Sequence, residues 1–107
     1  MSTQSEKRFE ALKGFVDADP SDAFSRYALA LEFRSRGDNA NAITQLESLR
    51  SHDPGYLALY YQLGGLYADA GDKAKAVATY QAGIVIAREQ HESHAMAELE
   101  EALEVQL

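Results

Sequence analysis

Residues 34 positions apart match along most of the chain. Gly37-Asp38 recurs as Gly71-Asp72, Leu29 as Leu63, Ala30 as Gly64, Phe33 as Tyr67, Ala42 as Ala76 and Leu46 as Tyr80. The match also runs backward, from Pro54 to Pro20, from Leu46 to Leu12 and from Leu49 to Phe15. A fixed period of this length marks stacked supersecondary units, each too small to bury its apolar face alone. With 107 residues, 46% of them hydrophobic, the chain has room for one short run of such units and little apolar surface to spare.

The units read as helix pairs. Ser21 or Asp22 can cap a helix after Pro20, and Phe24, Tyr27, Ala28 and Leu31 follow at helical spacing. Gly37 ends that helix, and Asp38 starts the next, in which Ile43, Leu46 and Leu49 form one stripe closed by Pro54. The same grammar repeats over 56–70 and 73–89. Phe9, Leu12, Phe15 and Val16 predict a helix before these pairs, and Met96, Leu99, Leu103 and Val105 one after them, for six helices in all. Arg88 stands where a proline would have stopped the preceding helix, and the turn before the last helix is expected near Gln90 to Ser93.

The stretch YYQLGGLYADAGD sets two adjacent glycines inside a helical pattern, where each costs about 1 kcal/mol relative to Ala. A phosphate loop would need G-x-x-x-x-G-K-[ST]. Gly65 and Gly71 are six apart rather than five, and a carboxylate, Asp72, follows where the lysine should stand. Close approach of two helices is the better reading: Gly64 opposite Ala76, with Ala30 and Ala42 at the same positions one period earlier.

Tyr60, Leu63, Gly64, Tyr67, Ala76 and Tyr80 resemble the tetratricopeptide repeat, whose signature is W-x2-L-G-x2-Y followed by A-x3-F and P. Tyr60 takes the Trp position and Tyr80 the Phe position. The preceding copy is looser, with Arg26, Ala30, Phe33 and Leu46 replacing Trp, Gly, Tyr and Phe, while Ala42 and Pro54 are kept. The resemblance implies an all-α fold, a right-handed α-α superhelix of about six antiparallel helices spanning 1–107 as one domain. It divides into an N-terminal half-repeat helix at 5–22, repeat one at 23–56, repeat two at 57–90 and a capping helix at 91–107. End units of such a stack need a polar outer side, which ELEEALE supplies.

In tetratricopeptide proteins the first helix of each repeat lines a concave groove. Carried over by position, the resemblance assigns Phe24, Tyr27, Ala28, Leu31, Arg34 and Ser35 from repeat one. From repeat two it assigns Ala58, Tyr61, Gln62, Gly65, Ala68 and Asp69. Phe24, Tyr27, Leu31, Arg34, Ala58, Tyr61, Gln62 and Gly65 are the expected partner-binding residues, with Tyr27 and Tyr61 as anchors. Members that clamp a terminal carboxylate use Lys and Asn on the first helix, Asn on the third and Lys with Arg on the fifth; the matching positions here are Tyr27 and Leu31, Gln62, and Glu92 with Met96, so that ligand is not expected. A competing expectation has the last helix fold across Phe24, Tyr27 and Leu31, covering them with Met96 or Leu99.

Chemistry beyond binding has few carriers. The sequence has no cysteine, which removes disulfides, thiol catalysis and cysteine-based zinc sites. His91, His94 and Glu98 would share one helix face as metal ligands if all three were helical, but solvated side chains are the stronger reading, and no metal or cofactor is expected. No nucleophile, base and orienting group can be assembled, so an enzyme is not expected. The net charge is −7, with seven Lys/Arg against nine Asp/Glu over 1–54 and three against eight over 55–107, which disfavours nucleic acid. The first ten residues lack the apolar core of a signal peptide and no apolar run is long enough for a membrane span, so a cytoplasmic location and no membrane partner are expected. The function expected is a non-catalytic module that binds a peptide or helical segment of another protein. The alternative is a self-associating, homodimeric helical unit.

Overall fold

The computed structural model describes residues 3–107. Among the described residues there are six helices and no strands: α1 (Gln4–Ala18), α2 (Ala23–Ser35), α3 (Asn39–His52), α4 (Ala58–Asp69), α5 (Lys73–Glu89) and α6 (Ser93–Gln106). They divide between two compact units, Met1–Asp53 and Pro54–Leu107. The all-α helical-repeat reading of the sequence is the fold observed.

In the first unit, α1 packs on α2 and α2 on α3. Leu12, Val16 and Leu29 form a buried cluster, flanked by Phe9, Ala28 and Phe33. Phe9 meets Phe33 edge to face at 5.1 Å, the orientation ring quadrupoles favour, and the Arg36 guanidinium covers the Phe9 ring at 4.0 Å. Ala30 and Ala42, on the two helices of the first repeat, are both fully buried, as small residues at a close helix contact should be. Two buried positions depart from the apolar pattern, Ser25 and Glu32, and of these Glu32 carries a charge. Glu32 is buried on α2, and Arg8 of α1 reaches it through Nε at 2.6 Å and Nη2 at 2.5 Å, both to Oε1.

In the second unit, α5 packs against both α4 and α6, and α6 also touches α4. Gly64 lies on α4 against the Tyr80 ring of α5: a Cβ there would stand 2.6 Å from Cδ1 and 2.7 Å from Cζ. Ala76, expected opposite Gly64, is fully buried, but the ring one turn further on is what needs the space. Gly83 of α5 has the same role where three helices meet. A Cβ on it would come within 2.6 Å of Tyr60 Cβ on α4 and 3.1 Å of Leu99 Cδ1 on α6. The Tyr60 hydroxyl donates to the Pro54 carbonyl at 2.5 Å, tying α4 to the turn that precedes it.

Helix ends follow from local chemistry. Asp22, Asp38 and Asp72 cap α2, α3 and α5, each accepting from the backbone N–H three residues on, at Ser25, Asn41 and Lys75. α2 and α4 end on Gly37 and Gly71, with φ of 80° and 79°. There Asp38 N donates to Phe33 O and Asp72 N to Tyr67 O, each at 2.9 Å, closing the helix with a glycine in the left-handed region. α5 ends the same way, with Glu92 N donating to Ala87 O at 2.9 Å, but the left-handed residue is His91, at φ 58°.

That last turn lies within the stretch expected from sequence, and it changes the register of α6. α5 runs 17 residues against 14 for α3. The apolar pattern of α6 then matches α4 at a spacing of 36 rather than 34, with Tyr60, Leu63 and Tyr67 answered by Met96, Leu99 and Leu103, while the exposed Glu100 stands in the place of the buried Gly64. At the 34-residue spacing the buried Leu63 would fall on the exposed Ala97.

Candidate functional site

The residues expected to bind a partner lie on α2 and α4, the first helix of each repeat. In the first unit, Phe24 is 71% exposed at the start of α2, while Tyr27, Leu31 and Arg34 follow on the same side, half-buried. Ala28 packs against the Leu12, Val16 and Leu29 cluster and is partly spent on the core. In the second unit, Tyr61 is 46% exposed, Ala58 is exposed, and Gln62, Gly65 and Ala68 are half-buried along α4. Asp69 and Ser35 are exposed at the C-terminal ends of their helices.

The opposite faces of the same helices are consumed by packing. On α2, Leu29 and Ala30 are buried; on α4, Leu59, Tyr60, Leu63, Gly64 and Leu66 are. Phe24 and Tyr61 are therefore aromatic side chains on packed, capped helices that the cores leave uncovered, and α4 holds Tyr60 inside while turning Tyr61 out. Leu99, one of the two residues expected to cover Phe24, is 2% exposed and sits beside Gly83 in the second unit.

The carboxylate-clamp comparison changes with the register of α6. The spacing of 36 moves the fifth-helix positions from Glu92 and Met96 to His94 and Glu98. The candidate metal triad is also broken up. His91 occupies the left-handed turn outside the helix, so it does not share a face of α6 with His94 and Glu98. Those two pair with each other, His94 Nε2 lying 2.7 Å from Glu98 Oε1. Among the described residues no group of three or more His, Cys, Asp or Glu is placed to hold a metal ion.

One surface feature lay outside the sequence reading. An open depression of about 260 Å³ lies at the α5–α6 turn, lined by Ala87, Arg88, His91, Glu92, Ser93 and Met96. It exists because α5 outruns α3 and the turn after it is short. The only signal for it in the sequence was Arg88 in place of the proline. No described buried side-chain N or O lacks a hydrogen-bond partner, so no unsatisfied polar group points into it.

Asp22 caps α2 through Ser25. Its side chain accepts from the Ser25 hydroxyl at 2.7 Å and from the Ser25 N–H at 3.1 Å. These bonds, the hydroxyl's first, stabilise the charged form and hold its pKa below the usual aspartate value, against a smaller opposing effect of burial. No helix of the described residues is long and apolar enough to cross a membrane.

Comparison with known proteins places this geometry. The family model of the tetratricopeptide repeat matches residues 33–99. A tetratricopeptide repeat domain protein from Salinibacter ruber, solved in solution, is 38% identical, with 82% of this chain and 89% of that one aligned at a TM-score of 0.78. A crystal structure of a tetratricopeptide repeat domain protein from the same organism gives 36% identity, 79% and 96% coverage and a TM-score of 0.76. A protein from Bordetella parapertussis shares the fold at 20% identity, with 99% and 89% coverage and a TM-score of 0.80. No curated protein matches. The 34-residue period, the paired helices closed on Gly37 and Gly71, and the match over residues 33–99 make this chain a member of the tetratricopeptide repeat family.

Proposed function

We propose that this protein is a non-catalytic module that binds a segment of another protein through the outward side chains of α2 and α4. Tetratricopeptide repeats generally mediate protein–protein interaction. The observation that carries the reading here is the pair Phe24 and Tyr61, 71% and 46% exposed on helices whose other faces are fully occupied. An uncovered aromatic on a rigid helix offers a large contact area at little conformational cost, the property of interface anchors. Tyr27 and Leu31 extend the apolar surface of α2, Ala58 and Gly65 leave space along α4, and Arg34 and Gln62 supply polar contacts. The acidic balance of residues 55–107, −5 in net charge, favours a segment carrying Lys or Arg beside its apolar residues.

Capture from the cognate cell extract tests this, with the wild-type protein compared against Phe24→Ala combined with Tyr61→Ala. Both side chains are exposed, so the double variant is expected to keep its helicity and melting temperature while losing the captured protein. Unchanged capture by the folded double variant would remove these two residues, and the reading built on them.

A further inference from the structure

We propose that copies of this chain associate through α1 of one copy and α6 of another, the two helices pairing as the first and second helix of a repeat do. The inference rests on the self-association alternative rather than on peptide binding. It uses helices that the peptide-binding reading does not, so either can fail alone.

Within each complete repeat, a first and a second helix carry small residues at two corresponding positions: Ala30 and Ala42 in one, Gly64 and Ala76 in the other, all buried. α1 is in register with the second helices at 34 residues, Leu12 answering Leu46 and Tyr80, which puts Arg8 at the Ala42 and Ala76 position. α6 is in register with the first helix α4 at 36 residues, which puts Glu100 at the Gly64 position. The two small positions are thus replaced by opposite charges, one on each helix, and because Gly64 faces Tyr80, whose place on α1 is Leu12, Glu100 would reach Arg8 from one turn away.

Both charges are accessible. The Arg8 side chain is 63% exposed, and Glu100 is exposed. Arg8 gives Nε and Nη2 to Glu32, and Nη1 takes no part in that pair, so the guanidinium can serve a second carboxylate. Apolar side chains accompany the charges in the same register. Phe15, 56% exposed, stands on α1 where α5 has Gly83, and half-buried Met96 stands on α6 where α4 has Tyr60. In the complete repeat the bulk comes from Tyr60 and the space from Gly83; between copies it comes from Phe15, against the slimmer Met96. The opposition is local rather than one of net charge: α6 carries Glu98, Glu100, Glu101 and Glu104 with no Lys or Arg, while α1 balances Lys7, Arg8 and Lys13 against Glu6, Glu10 and Asp17, so the complementarity rests on Arg8. Each copy offers one α1 and one α6, so the contact is heterologous and either closes into a ring or runs on.

Sedimentation of the 107-residue chain across concentration, up to about 1 mM, is paired with amide shifts of a labelled copy titrated with an unlabelled one. The expected result is a mass that rises with concentration and shifts on the exposed faces of α1 and α6. Glu100→Arg, at an exposed site, is expected to keep the helicity and weaken association about tenfold or more, and Phe15→Ser to weaken it as well. A strictly monomeric chain would overturn the proposal. So would undiminished association of a folded Glu100→Arg, or shifts confined to α2 and α4.

Discussion

The Tyr80 ring occupies the space a side chain on Gly64 would need, its Cδ1 only 2.6 Å from where a Cβ would stand. The same two positions one repeat earlier hold Ala30 and Leu46, both buried. Ring with glycine and leucine with alanine are two solutions to one helix contact. Gly64→Ala should therefore overpack the pair and cost on the order of 1–3 kcal/mol, less the helix propensity regained, about 1 kcal/mol. Tyr80→Leu alone should leave a void. The two together rebuild the arrangement of the first repeat, and their combined cost is expected to fall short of the sum by about 0.5–3 kcal/mol. Urea unfolding of the four proteins measures the coupling, and strict additivity would contradict the contact.

His91 holds the left-handed position that Gly37 and Gly71 hold at the other two turns, and a residue with a Cβ is disfavoured there. His91→Gly should raise stability by about 1 kcal/mol. Gly71→Ala should lower it by a similar amount through the backbone alone, because a Cβ at Gly71 would meet nothing within 4 Å. Melting temperatures moving in opposite directions are the expected readout. A His91→Gly that melts lower would assign the ring a contact worth more than the strain.

Most of this fold was legible in the sequence because its determinants are local. Gly37, Gly71, Asp38 and Asp72 fix helix ends through their own backbone and side chain, and the 34-residue period carries one reading onto the next repeat. What was not legible depends on length accumulated along the chain or on a partner distant in sequence. With no proline near Arg88, α5 gained a turn's worth of residues, His91 left the helix and α6 shifted by two, which dissolved the His91, His94 and Glu98 alignment. Gly83 escaped notice because its reason, the meeting of Tyr60 and Leu99, lies 23 residues before it and 16 after it. The residues proposed to bind a partner were legible as faces of helices, and Phe24 and Tyr61 stand out only once burial separates them from Tyr27 and Tyr60.

Asp22, Asp38 and Asp72 are interchangeable in role. Each caps a helix, so Asp→Ala at any of them should cost about 1 kcal/mol. The Ser25 bonds lower the pKa of Asp22. A carboxylate depressed in the folded state binds its proton less readily than the unfolded chain does, so its contribution is present above the unfolded value, about pH 4. It is lost as the pH falls through the lower folded value. Asp22→Asn should flatten the pH dependence of stability below about pH 4 and leave it unchanged at neutral pH. Acid unfolding curves of the two proteins that superimpose would show that Asp22 carries no linkage.

Glu32 is the one carboxylate the first unit buries, and the residue one period on is Leu66, fully buried in the second. The two repeats thus solve the same buried position once with an Arg8–Glu32 pair and once with a hydrocarbon. Removing Arg8 leaves Glu32 without the cation that compensates its desolvation. Because Arg8 is 63% exposed and water screens the pair, Arg8→Met should cost nearer to about 1 kcal/mol than the several lost at a fully buried pair. Replacing both, Arg8→Met with Glu32→Leu, copies the apolar answer of Leu66 and removes the desolvated charge together with its partner. The double variant is expected to match or exceed the wild type in urea unfolding. A double variant less stable than Arg8→Met alone would mean that the pair contributes more than apolar packing supplies at that position.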